Sequence, residues 1–253
     1  MGNLSGKNAF VTGTSQGIGA ATSKALIEAG CNICMHYFHS GEIPFKLQKI
    51  AETNKQKAIC LKADLTNEEE AVNCVKEAAG FLGSFDVLIN NSGSLVERRY
   101  LSGIDTGYWQ SLLDINLKTM ILVTRDAFPY FNRTEGSSIV NLASLAGRTG
   151  GHQGSLAYSA TKGAVLTLSR SLAKELGPLG IRVNAVAPGF IEGTSFHEKH
   201  TTRESAMKTI SNIPLGRSGC PEDVARAIVF LASEYDGFIN GATLDINGGI
   251  YCA

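Results

Sequence analysis

The sequence lacks an excess of either charge and any long apolar run. Lys plus Arg and Asp plus Glu both number 23, so the formal net charge at pH 7 is +0. A balanced chain offers no broad basic surface, and we therefore expect neither nucleic acid nor a membrane surface as a partner. No segment reaches the roughly 18 consecutive apolar residues that a membrane-spanning helix needs.

The chain also lacks the marks of an exported, lipid-anchored or disulfide-rich protein. Its start has no basic region followed by an apolar run, and Gly6 stands where a myristoylation pattern needs Ser or Thr. The six cysteines are scattered, as is typical of reduced thiols. Cys31 and Cys34 share a strand-like segment, where residues three apart face opposite sides. We therefore expect a cytoplasmic protein without a metal or redox site.

What the chain does have is a regular alternation of short apolar runs and longer helical patterns. The predicted strands are Asn8–Thr12, Asn32–Tyr37, Ala58–Lys62, Val87–Asn90, Ser138–Leu142, Arg182–Ala187 and Thr243–Ile246. The helical patterns include Gly17–Ala29, Glu68–Gly80, Thr106–Phe131, Ala157–Leu176 and Glu222–Ser233. This alternation predicts the α/β class, with a doubly wound parallel sheet of about seven strands and helices on both faces.

One domain is expected to cover residues 1–253, because no linker, repeat or low-complexity tract divides them. The long departure from the apolar pattern is the charged and hydroxyl-rich segment 192–211. It follows the sixth predicted strand, and open α/β sheets bind ligands beyond the carboxyl ends of their strands. We therefore predict that residues 192–211 form a lid on the substrate side.

The residues that link the first strand to the first helix predict a dinucleotide site. Thr12 to Gly19 reads Thr-Gly-Thr-Ser-Gln-Gly-Ile-Gly. A helix start of this kind presents free N–H groups to a pyrophosphate, and glycines permit its close approach. A plain glycine turn is the alternative, since the spacing Gly-x3-Gly-x-Gly differs from the more general Gly-x-Gly-x-x-Gly. The predicted contacts are Gly13, Ser15, Gln16, Gly17, Ile18 and Gly19.

Two later strand ends extend this site. Asp64 and Leu65 follow the third predicted strand, where a carboxylate is placed to accept a hydrogen bond from an adenine amino group. Asp64 could instead cap the helix that starts near Asn67. Asn90 and Gly93 belong to an Asn-Asn-Ser-Gly motif at the end of the fourth strand. We predict that both contact the cofactor.

The choice between NADP and NAD depends on the residues about 20 positions beyond the glycine loop, where an acid binds the ribose 2'-hydroxyl and a base accepts a 2'-phosphate. Here the chain reads His36-Tyr-Phe-His-Ser40, and the first acid is Glu42. The lack of a repelling carboxylate favours NADP, with NAD as the alternative. His36, His39 and Ser40 are the candidate phosphate ligands.

Tyr158 and Lys162 are the central candidates for chemistry. They stand four residues apart in a predicted helix and share a face. An ammonium beside a phenol lowers its pKa from about 10, which suits acid-base exchange with a ketone or an alcohol. Ser144 ends the fifth predicted strand and is placed to hold the substrate oxygen. Asn116 lies in the long fourth helix, where we expect it to break the helical bonding and hold a water.

Together these motifs resemble the short-chain dehydrogenase/reductase family from Leu4 to the C-terminus. The matching motifs are Thr12-Gly-x3-Gly-Ile-Gly19, Asn90-Asn-Ser-Gly93, Asn116, Ser144, Tyr158-x3-Lys162, Pro188-Gly189 and Asn240-Gly-Ala-Thr-Leu-Asp-Ile-Asn-Gly-Gly249. The resemblance implies a Rossmann fold, hydride transfer between NAD(P)(H) and a ketone or secondary alcohol, and a homotetramer.

The resemblance also implies a role for each motif residue. Tyr158 would be the acid/base, Lys162 would adjust its pKa and bind the ribose hydroxyls, and both would contact the cofactor. Ser144 would orient the substrate, and Asn116 would join a water-linked proton relay. The backbone near Pro188, Gly189 and Ile191 would line the cofactor together with Asn90.

The sequence departs from the family pattern at three places. The gap from Ser144 to Tyr158 is one residue longer than the commonest spacing, which predicts an enlarged loop over Arg148–Ser155. Gly193 replaces the usual hydroxyl after the motif proline, and we expect Thr194 to take its cofactor contact. Gln16 stands where NADP-preferring members often carry a base.

The substrate is predicted from loop charges. Arg98 and Arg99, Arg148 with His152, and the segment 197–203 are basic and favour a polar or anionic ketone, unless they are merely solvated. The pattern resembles 3-oxoacyl carrier-protein reductases and reductases of keto sugars or keto acids. An enoyl reductase would have six residues between tyrosine and lysine, whereas the gap here is three. The remaining alternative is a catalytically silent regulator that binds the cofactor on the same fold.

Overall fold

A single parallel sheet runs through the molecule. The computed structural model describes residues 4–134, 136–193, 202–233 and 237–253. The strands are β1 (Asn8–Val11), β2 (Asn32–Tyr37), β3 (Ala58–Lys62), β4 (Val87–Asn90), β5 (Ser137–Leu142), β6 (Ile181–Pro188) and β7 (Thr243–Ile246). All neighbouring strands pair in parallel in the order β3-β2-β1-β4-β5-β6-β7. The predicted doubly wound sheet is confirmed.

Helices connect these strands along the described part of the chain. They are α1 (Gly17–Glu28), α2 (Glu42–Thr53), α3 (Glu68–Leu82), α4 (Thr106–Leu113), α5 (Thr119–Ala127), α6 (Ala146–Thr149), α7 (Leu156–Leu176), α8 (Arg203–Ser211) and α9 (Pro221–Ala232). Short 3-10 turns cover Leu101–Gly103, Phe128–Tyr130 and Gly177–Leu179. Helices α2, α6 and α8 were not among the predicted helices. In α2, Pro44 falls within the first turn, where a missing N–H breaks no helical bond.

Side chains fix where several helices start. The Asn67 side chain accepts hydrogen bonds from the N–H groups of Glu69 and Glu70 at 3.0 and 3.3 Å, and it caps α3. Asp105 accepts from the N–H of Tyr108 at 2.7 Å and caps α4. Each cap satisfies N–H groups that the helix itself leaves unpaired.

The predicted helix Thr106–Phe131 is interrupted. A π-helical segment, Asp114–Lys118, separates α4 from α5, and a 3-10 turn follows α5. Such a segment carries one more residue per turn than an α-helix and is common at functional sites. Asn116 lies at its centre, as expected of a residue that breaks the helical bonding.

Alternate residues of the strands build two core layers. Phe10, Leu88 and Ile139 pack on one face with α3, α5 and α7. Val11, Ile89 and Val140 pack on the other face with α1, α2 and α9. Because both faces are covered, the central strands are apolar throughout, which is why they read as short apolar runs in the sequence.

The structure also bears on membrane spans and on the cysteines. None of the described helices combines the length and the apolar character that spanning a membrane demands. Cys31 and Cys34 are buried free thiols, and burial raises the pKa of Cys31 to about 12 and that of Cys34 well above its usual value. Protonated thiols of this kind are poor metal ligands and poor nucleophiles.

The predicted lid is described only in part. Glu192 and Gly193 follow β6, and residues 202–211 include helix α8. Residues 194–201 lie outside the described residues. The Thr202 side chain caps α8 by accepting from the N–H of Ser205 at 3.2 Å.

Candidate active site

The predicted site residues gather at one edge of the sheet because parallel strands place their carboxyl ends together. The glycine loop follows β1, Asp64 follows β3, Asn90 ends β4 and Ser144 follows β5. Helix α7 starts beyond that edge and carries the tyrosine and the lysine back across it. The topology therefore brings four separate strand ends together in one cleft.

The predicted chemical groups meet at the start of α7. Tyr158 is 9% exposed, and its phenol shares a hydrogen bond with the Ser144 hydroxyl. The Lys162 ammonium lies 5.8 Å from the centre of the Tyr158 ring and donates to the Leu142 carbonyl at 2.7 Å. The structure therefore brings Ser144, Tyr158 and Lys162 together, as the sequence predicts.

Gly93 leaves a small space between two of the polar groups. A methyl group at this position would lie 2.8 Å from Asn116 Oδ1 and 3.1 Å from Lys162 Nζ. Both distances are shorter than ordinary van der Waals contacts, so only glycine keeps the two groups as they are.

Asn116 is held by the loop that follows β4. Its side-chain nitrogen donates to the carbonyls of Ser94 and Leu112 at 2.8 and 3.1 Å, and its oxygen accepts from the Ser94 N–H at 3.0 Å. The side chain therefore substitutes for helical bonding that the π-helical segment disturbs. The predicted local break in the helix is present, and the water that it would hold stays a prediction.

The pKa of Tyr158 is shifted in the direction opposite to the one expected from the sequence. Burial raises the pKa of Tyr158 to about 12, while the hydrogen bond with Ser144 acts in the opposite direction. Burial also lowers the pKa of Lys162 to about 8. The sequence predicts a phenol pKa below its usual value, and this net direction is wrong for the protein alone, because burial of the phenol raises its pKa. At neutral pH the phenol is protonated, which suits a proton donor in ketone reduction.

The glycine loop has the shape expected of a pyrophosphate cradle. A methyl group on Gly19 would lie 2.1 Å from the Gly13 carbonyl oxygen, and Gly13 adopts a φ of +70°. The N-cap of α1 is Gln16, which makes no side-chain cap bond, and no acid lies in the first turn. Unpaired N–H groups at a helix start attract an anion. The residues of this loop therefore fit a dinucleotide.

Two residues that support this loop were not predicted. The Asn91 side chain donates to the carbonyls of Thr12 and Gly13, each at 2.9 Å. The Thr12 hydroxyl accepts from the N–H groups of Asn91 and Ser92, each at 3.0 Å. Asn91 belongs to the motif Asn90-Asn-Ser-Gly93, so the sequence did point to this segment, but the prediction named Asn90 and Gly93 and not Asn91.

His36 does not have the predicted role. Its ring is 3% exposed, and both nitrogens are engaged within the protein, Nδ1 with the Gly13 N–H at 3.2 Å and Nε2 with the Ala63 carbonyl at 3.0 Å. The ring therefore has no nitrogen to offer a phosphate, and the predicted phosphate contact is wrong. His39 and Ser40, by contrast, are exposed just after β2, and their contact with a 2'-phosphate stays a prediction.

Asp64 does not cap α3, because Asn67 does. Asp64 Oδ1 accepts from the N–H and the hydroxyl of Thr66 at 2.9 and 2.7 Å, which holds the turn after β3. Leu65 is buried beside it. The turn thus fixes the orientation of the carboxylate, and the adenine contacts of both residues stay predictions.

The Asn90 side chain is used inside the protein. Its nitrogen donates to Thr124 Oγ1 and Asn141 Oδ1 at 3.0 and 2.8 Å, and the Asn141 nitrogen donates to Ser169 at 3.0 Å. These bonds join β4, β5, α5 and α7 beneath the cleft. The side-chain oxygen of Asn90 is buried and has no hydrogen-bond partner among the described residues, and the cofactor contact of Asn90 stays a prediction.

The end of β6 forms the far wall of the cleft. The Pro188 carbonyl accepts from Leu145 N–H, and the Gly189 N–H donates to the Ile246 carbonyl, each at 2.9 Å. Ile191 is buried and pairs with Gly219. Their predicted cofactor contacts remain untested, and Thr194 lies outside the described residues.

The loops at the substrate side carry charges that are mostly paired. Arg99 lies 2.6 Å from Glu97 and 2.7 Å from Asp105. Arg148 contacts Asp245 on β7 at 3.2 Å. These two arginines of the predicted basic rim are therefore neutralised by acids.

Arg98 and His152 stand next to each other at this mouth. Arg98 donates to the Gln153 carbonyl at 3.2 Å, and Arg99 N–H donates to the Gly154 carbonyl at 2.9 Å, so the two loops are joined. Partial burial, and after it the charge of Arg98, lower the pKa of His152. The enlarged loop thus packs against the loop after β4.

Known proteins share both the sequence and the fold. A family model described as enoyl-(acyl-carrier-protein) reductase matches residues 13–251. A 3-oxoacyl-(acyl-carrier-protein) reductase of Staphylococcus aureus strain Mu50 is 36% identical over 248 residues, which cover 97% of this chain and 98% of that protein.

Solved structures agree. A blue fluorescent protein from a metagenomic library, in complex with NADPH, is 30% identical with a TM-score of 0.91, covering 99% of this chain and 100% of that one. The NADH-dependent reductase A1-R', responsible for alginate metabolism, is 30% identical with a TM-score of 0.89, covering 99% of both chains. The first of these proteins is bound to NADPH, and the second is NADH-dependent.

Proposed function

The chain belongs to the short-chain dehydrogenase/reductase family, and from that premise we propose that it reduces a polar or anionic ketone with NADPH. The observation that carries the proposal is the meeting of Ser144, Tyr158 and Lys162 beside the glycine loop. This places a proton donor next to a dinucleotide cradle, which is what hydride transfer to a carbonyl needs.

NADPH fits the residues of the cleft. The cradle around Gly19 and the uncapped start of α1 would hold the pyrophosphate. His39 and Ser40 are exposed, and we take them as the ligands of a 2'-phosphate. The first acid beyond them, Glu42, is paired with Lys46 at 2.8 Å, so its negative charge is offset. The relative bound to NADPH supports this preference. The NADH-dependent reductase responsible for alginate metabolism supports NADH as the alternative.

The bound nicotinamide would supply the hydride. Tyr158 donates its proton to the substrate oxygen, because its raised pKa keeps the phenol protonated at neutral pH. The half-buried Ser144 holds that oxygen by a hydrogen bond. Lys162, fixed by the Leu142 carbonyl, carries positive charge near the phenol and favours the phenolate that remains. Asn116 would hold a water through which solvent returns a proton to the Tyr158 phenolate.

The proposed substrates are a 3-oxoacyl thioester and a keto sugar acid. The first is supported by the similarity to the 3-oxoacyl-(acyl-carrier-protein) reductase of Staphylococcus aureus. The second is supported by the similarity to a reductase responsible for the metabolism of alginate, a polysaccharide of sugar acids. An enoyl substrate, which the family description suggests, is disfavoured because six residues between tyrosine and lysine would require a tyrosine at position 155, where Ser155 stands. Arg98 gives the mouth a positive charge that suits a carboxylate or a phosphate group, and His152, whose pKa is lowered by partial burial and by Arg98, adds a neutral ring that can form a hydrogen bond.

A substrate and cofactor screen tests the proposal. NADPH and NADH are each combined with acetoacetyl thioesters, keto sugar acids, simple diketones and an enoyl thioester, and oxidation of the cofactor is followed by absorbance. We expect turnover of a 3-oxo substrate with NADPH. In the variant Tyr158→Phe, kcat should fall by about 10³-fold because the general acid is lost, while NADPH still binds.

Tyr130→Phe is the matched control. Tyr130 lies in the 3-10 turn after α5, where its ring packs against Phe85 away from the cleft, and its loss should leave kcat unchanged. Turnover with NADH alone would overturn the cofactor preference. Binding of NADPH without turnover of any ketone, together with no effect of Tyr158→Phe, would identify a silent cofactor-binding regulator instead.

We also propose a cytoplasmic homotetramer. Phe230 on α9 and Leu244 on β7, the edge strand, are 49% and 38% exposed, and Ile121 on α5 is 44% exposed. Apolar side chains on an edge strand and two helices suit contacts with further copies. Light scattering after size exclusion should give four times the chain mass of 26.9 kDa. A monomer would contradict the proposal.

A further inference from the structure

His36 occupies a position that its predicted phosphate role does not explain. It lies on β2, in register with Leu61 of β3 and beside β1, so its side chain reaches both neighbouring strand ends. One of these ends leads into the glycine loop, and the other leads into Asp64 and Leu65. Both are segments with predicted contacts to the dinucleotide.

The hydrogen-bond partners fix the protonation of the ring. The Gly13 N–H can only donate, so Nδ1 must accept and carry no proton. The Ala63 carbonyl can only accept, so Nε2 must carry the proton. The ring is thus the neutral Nε2–H form, and burial lowers its pKa, opposed by the bond to Ala63 and by Asp64.

The main chain of His36 holds the same loop. Its carbonyl accepts from the N–H of Thr14 at 2.9 Å and from the Thr14 hydroxyl at 3.0 Å. On the other side, Asn91 binds the Gly13 carbonyl at 2.9 Å. The peptide units around Gly13 are therefore held from β2 and from the loop after β4.

We propose that His36 is a positioning residue for cofactor binding: its Nδ1 fixes the Gly13 N–H, and thereby the first turn of the glycine loop, in the conformation that receives the pyrophosphate. It acts through Gly13 and does not touch the cofactor. Without this acceptor, the Gly13 N–H would be buried and unpaired, or the loop would turn to satisfy it elsewhere. The proposal rests on the proposed NADP(H) site, and it deepens that site.

Asparagine and glutamine separate the two bonds of the ring. In His36→Asn, the amide oxygen sits at the level of Nδ1 and can still accept from Gly13, while no group reaches Ala63. In His36→Gln, the amide nitrogen sits at the level of Nε2 and can still donate to Ala63, while no acceptor faces Gly13. His36→Leu removes both bonds at similar volume.

The variants are compared by NADPH fluorescence titration and by steady-state kinetics. We expect His36→Gln and His36→Leu to raise the Kd and KM of NADPH about tenfold, as the loss of one buried hydrogen bond implies. The kcat at saturating NADPH should stay within about threefold of the original protein, because Tyr158 and Lys162 are not moved. His36→Asn should bind NADPH like the original protein.

A second readout needs no cofactor. Amide hydrogen exchange of Gly13, measured by NMR on the protein alone, should become at least about tenfold faster in His36→Gln but not in His36→Asn, because the bond protects that N–H. This measurement stays decisive if the leucine variant fails to fold or if NADPH proves not to be the cofactor. Failure of the proposed function would appear instead in the original protein, as absent NADPH binding or turnover.

Three results would overturn the positioning role. Equal loss of affinity in the asparagine and glutamine variants would assign the effect to ring volume, because each variant keeps a different one of the two bonds. A fall in kcat without a change in KM would place His36 in the chemical step. Unchanged Gly13 exchange and unchanged NADPH affinity in His36→Gln would show that the bond to Gly13 carries no function.

Discussion

The cofactor half and the substrate rim of the cleft are stabilised in different ways. Around the glycine loop, uncharged side chains of Thr12, His36 and Asn91 bind the main chain at distances of 2.9 to 3.2 Å, and the first two are almost fully buried. At the rim, ion pairs join neighbouring segments, such as Arg148 of α6 with Asp245 of β7. Uncharged buried bonds hold a fixed shape and are insensitive to salt, whereas partly exposed ion pairs are screened by it.

This difference matches the two tasks. Every nicotinamide dinucleotide presents the same pyrophosphate, so the loop that receives it needs one geometry. Substrates differ in shape and charge, and a rim built from exchangeable charges can change without disturbing the loop. Arg99, which is shared between Glu97 and Asp105, shows how the rim cancels charge that the sequence alone offers to a substrate.

The strongest way to break the cofactor half is Gly19→Ala. The added methyl group would lie 2.1 Å from the Gly13 oxygen and 2.5 Å from Asn91 Nδ2, so the loop must move. We expect the Kd of NADPH to rise at least about 100-fold, which corresponds to about 2.7 kcal/mol. The measurement is fluorescence titration.

Gly80→Ala is its control, because Gly80 lies in α3 and a methyl group there meets nothing within 4 Å. That variant should bind NADPH normally and be more stable by up to about 1 kcal/mol. Normal NADPH binding by Gly19→Ala would show that the loop tolerates displacement, and the contrast between the two halves would disappear.

Gly93→Ala probes the point where the two halves meet. Its methyl group would press on Asn116 Oδ1 and Lys162 Nζ. We expect kcat to fall by about tenfold to 100-fold, because a small misplacement of reacting groups is costly. The variant Gly103→Ala, in an open 3-10 turn, should leave kcat unchanged. Full activity of Gly93→Ala would exclude a role for the space beside it.

The pH profile sharpens the comparison because it follows one charge at the chemical step. Burial lowers the pKa of Lys162 to about 8, so its ammonium is present below that pH and is lost as the pH rises through it. The rate of ketone reduction should therefore fall above about pH 8, by up to about tenfold per pH unit. Initial rates at saturating substrates give the profile.

Lys162→Arg provides the reference, because a guanidinium stays protonated throughout this range. Its lower activity should show no such fall. A profile that is flat to about pH 9.5 in the original protein would mean that the lysine charge is not needed.

The smallest expected effect is at the rim. In Asp245→Asn, Arg148 loses its charged partner, and both side chains are 19% exposed. We expect the free energy of unfolding in urea to fall by about 1 kcal/mol and the substrate KM to change only a few-fold. Glu28→Gln removes the partner of Lys24 in an exposed pair and should change stability by no more than about 0.3 kcal/mol. A larger loss in Glu28→Gln than in Asp245→Asn would contradict this ranking.

Much of the fold could be predicted because buried parallel strands leave a simple pattern. Val87–Asn90 is buried at every position and reads as one apolar run. The helix α2 escaped prediction because Pro44 reads as a breaker, although in the first turn it costs nothing. The chemical pair Tyr158 and Lys162 could be predicted because its helical spacing occurs together with Ser144 at a strand end and with Asn116, whereas the spacing alone is common on helix surfaces.

The sequence could not show how polar groups are satisfied. The position of His36 near the end of a strand suggests a phosphate ligand. Nothing in the sequence shows that the Gly13 N–H donates to its Nδ1. The pKa of Tyr158 depends on how deeply the phenol is buried. The packing of α4 against α7 determines that burial, and the spacing between Tyr158 and Lys162 does not reveal it. Arginines of the rim likewise reveal their acidic partners only in three dimensions.

The π-helical turn around Asn116 also sets the phase of the helix that follows. Each residue of an α-helix turns the chain by about 100°, so one residue more or fewer in this turn rotates all of α5. Leu122, Val123 and Ala127 would then leave the core layer that they share with α3. Removing the π-helical turn would therefore move Asn116 out of the cleft and also expose the face of the sheet that α5 covers. The same irregular turn is thus needed for folding and for the chemistry of the site.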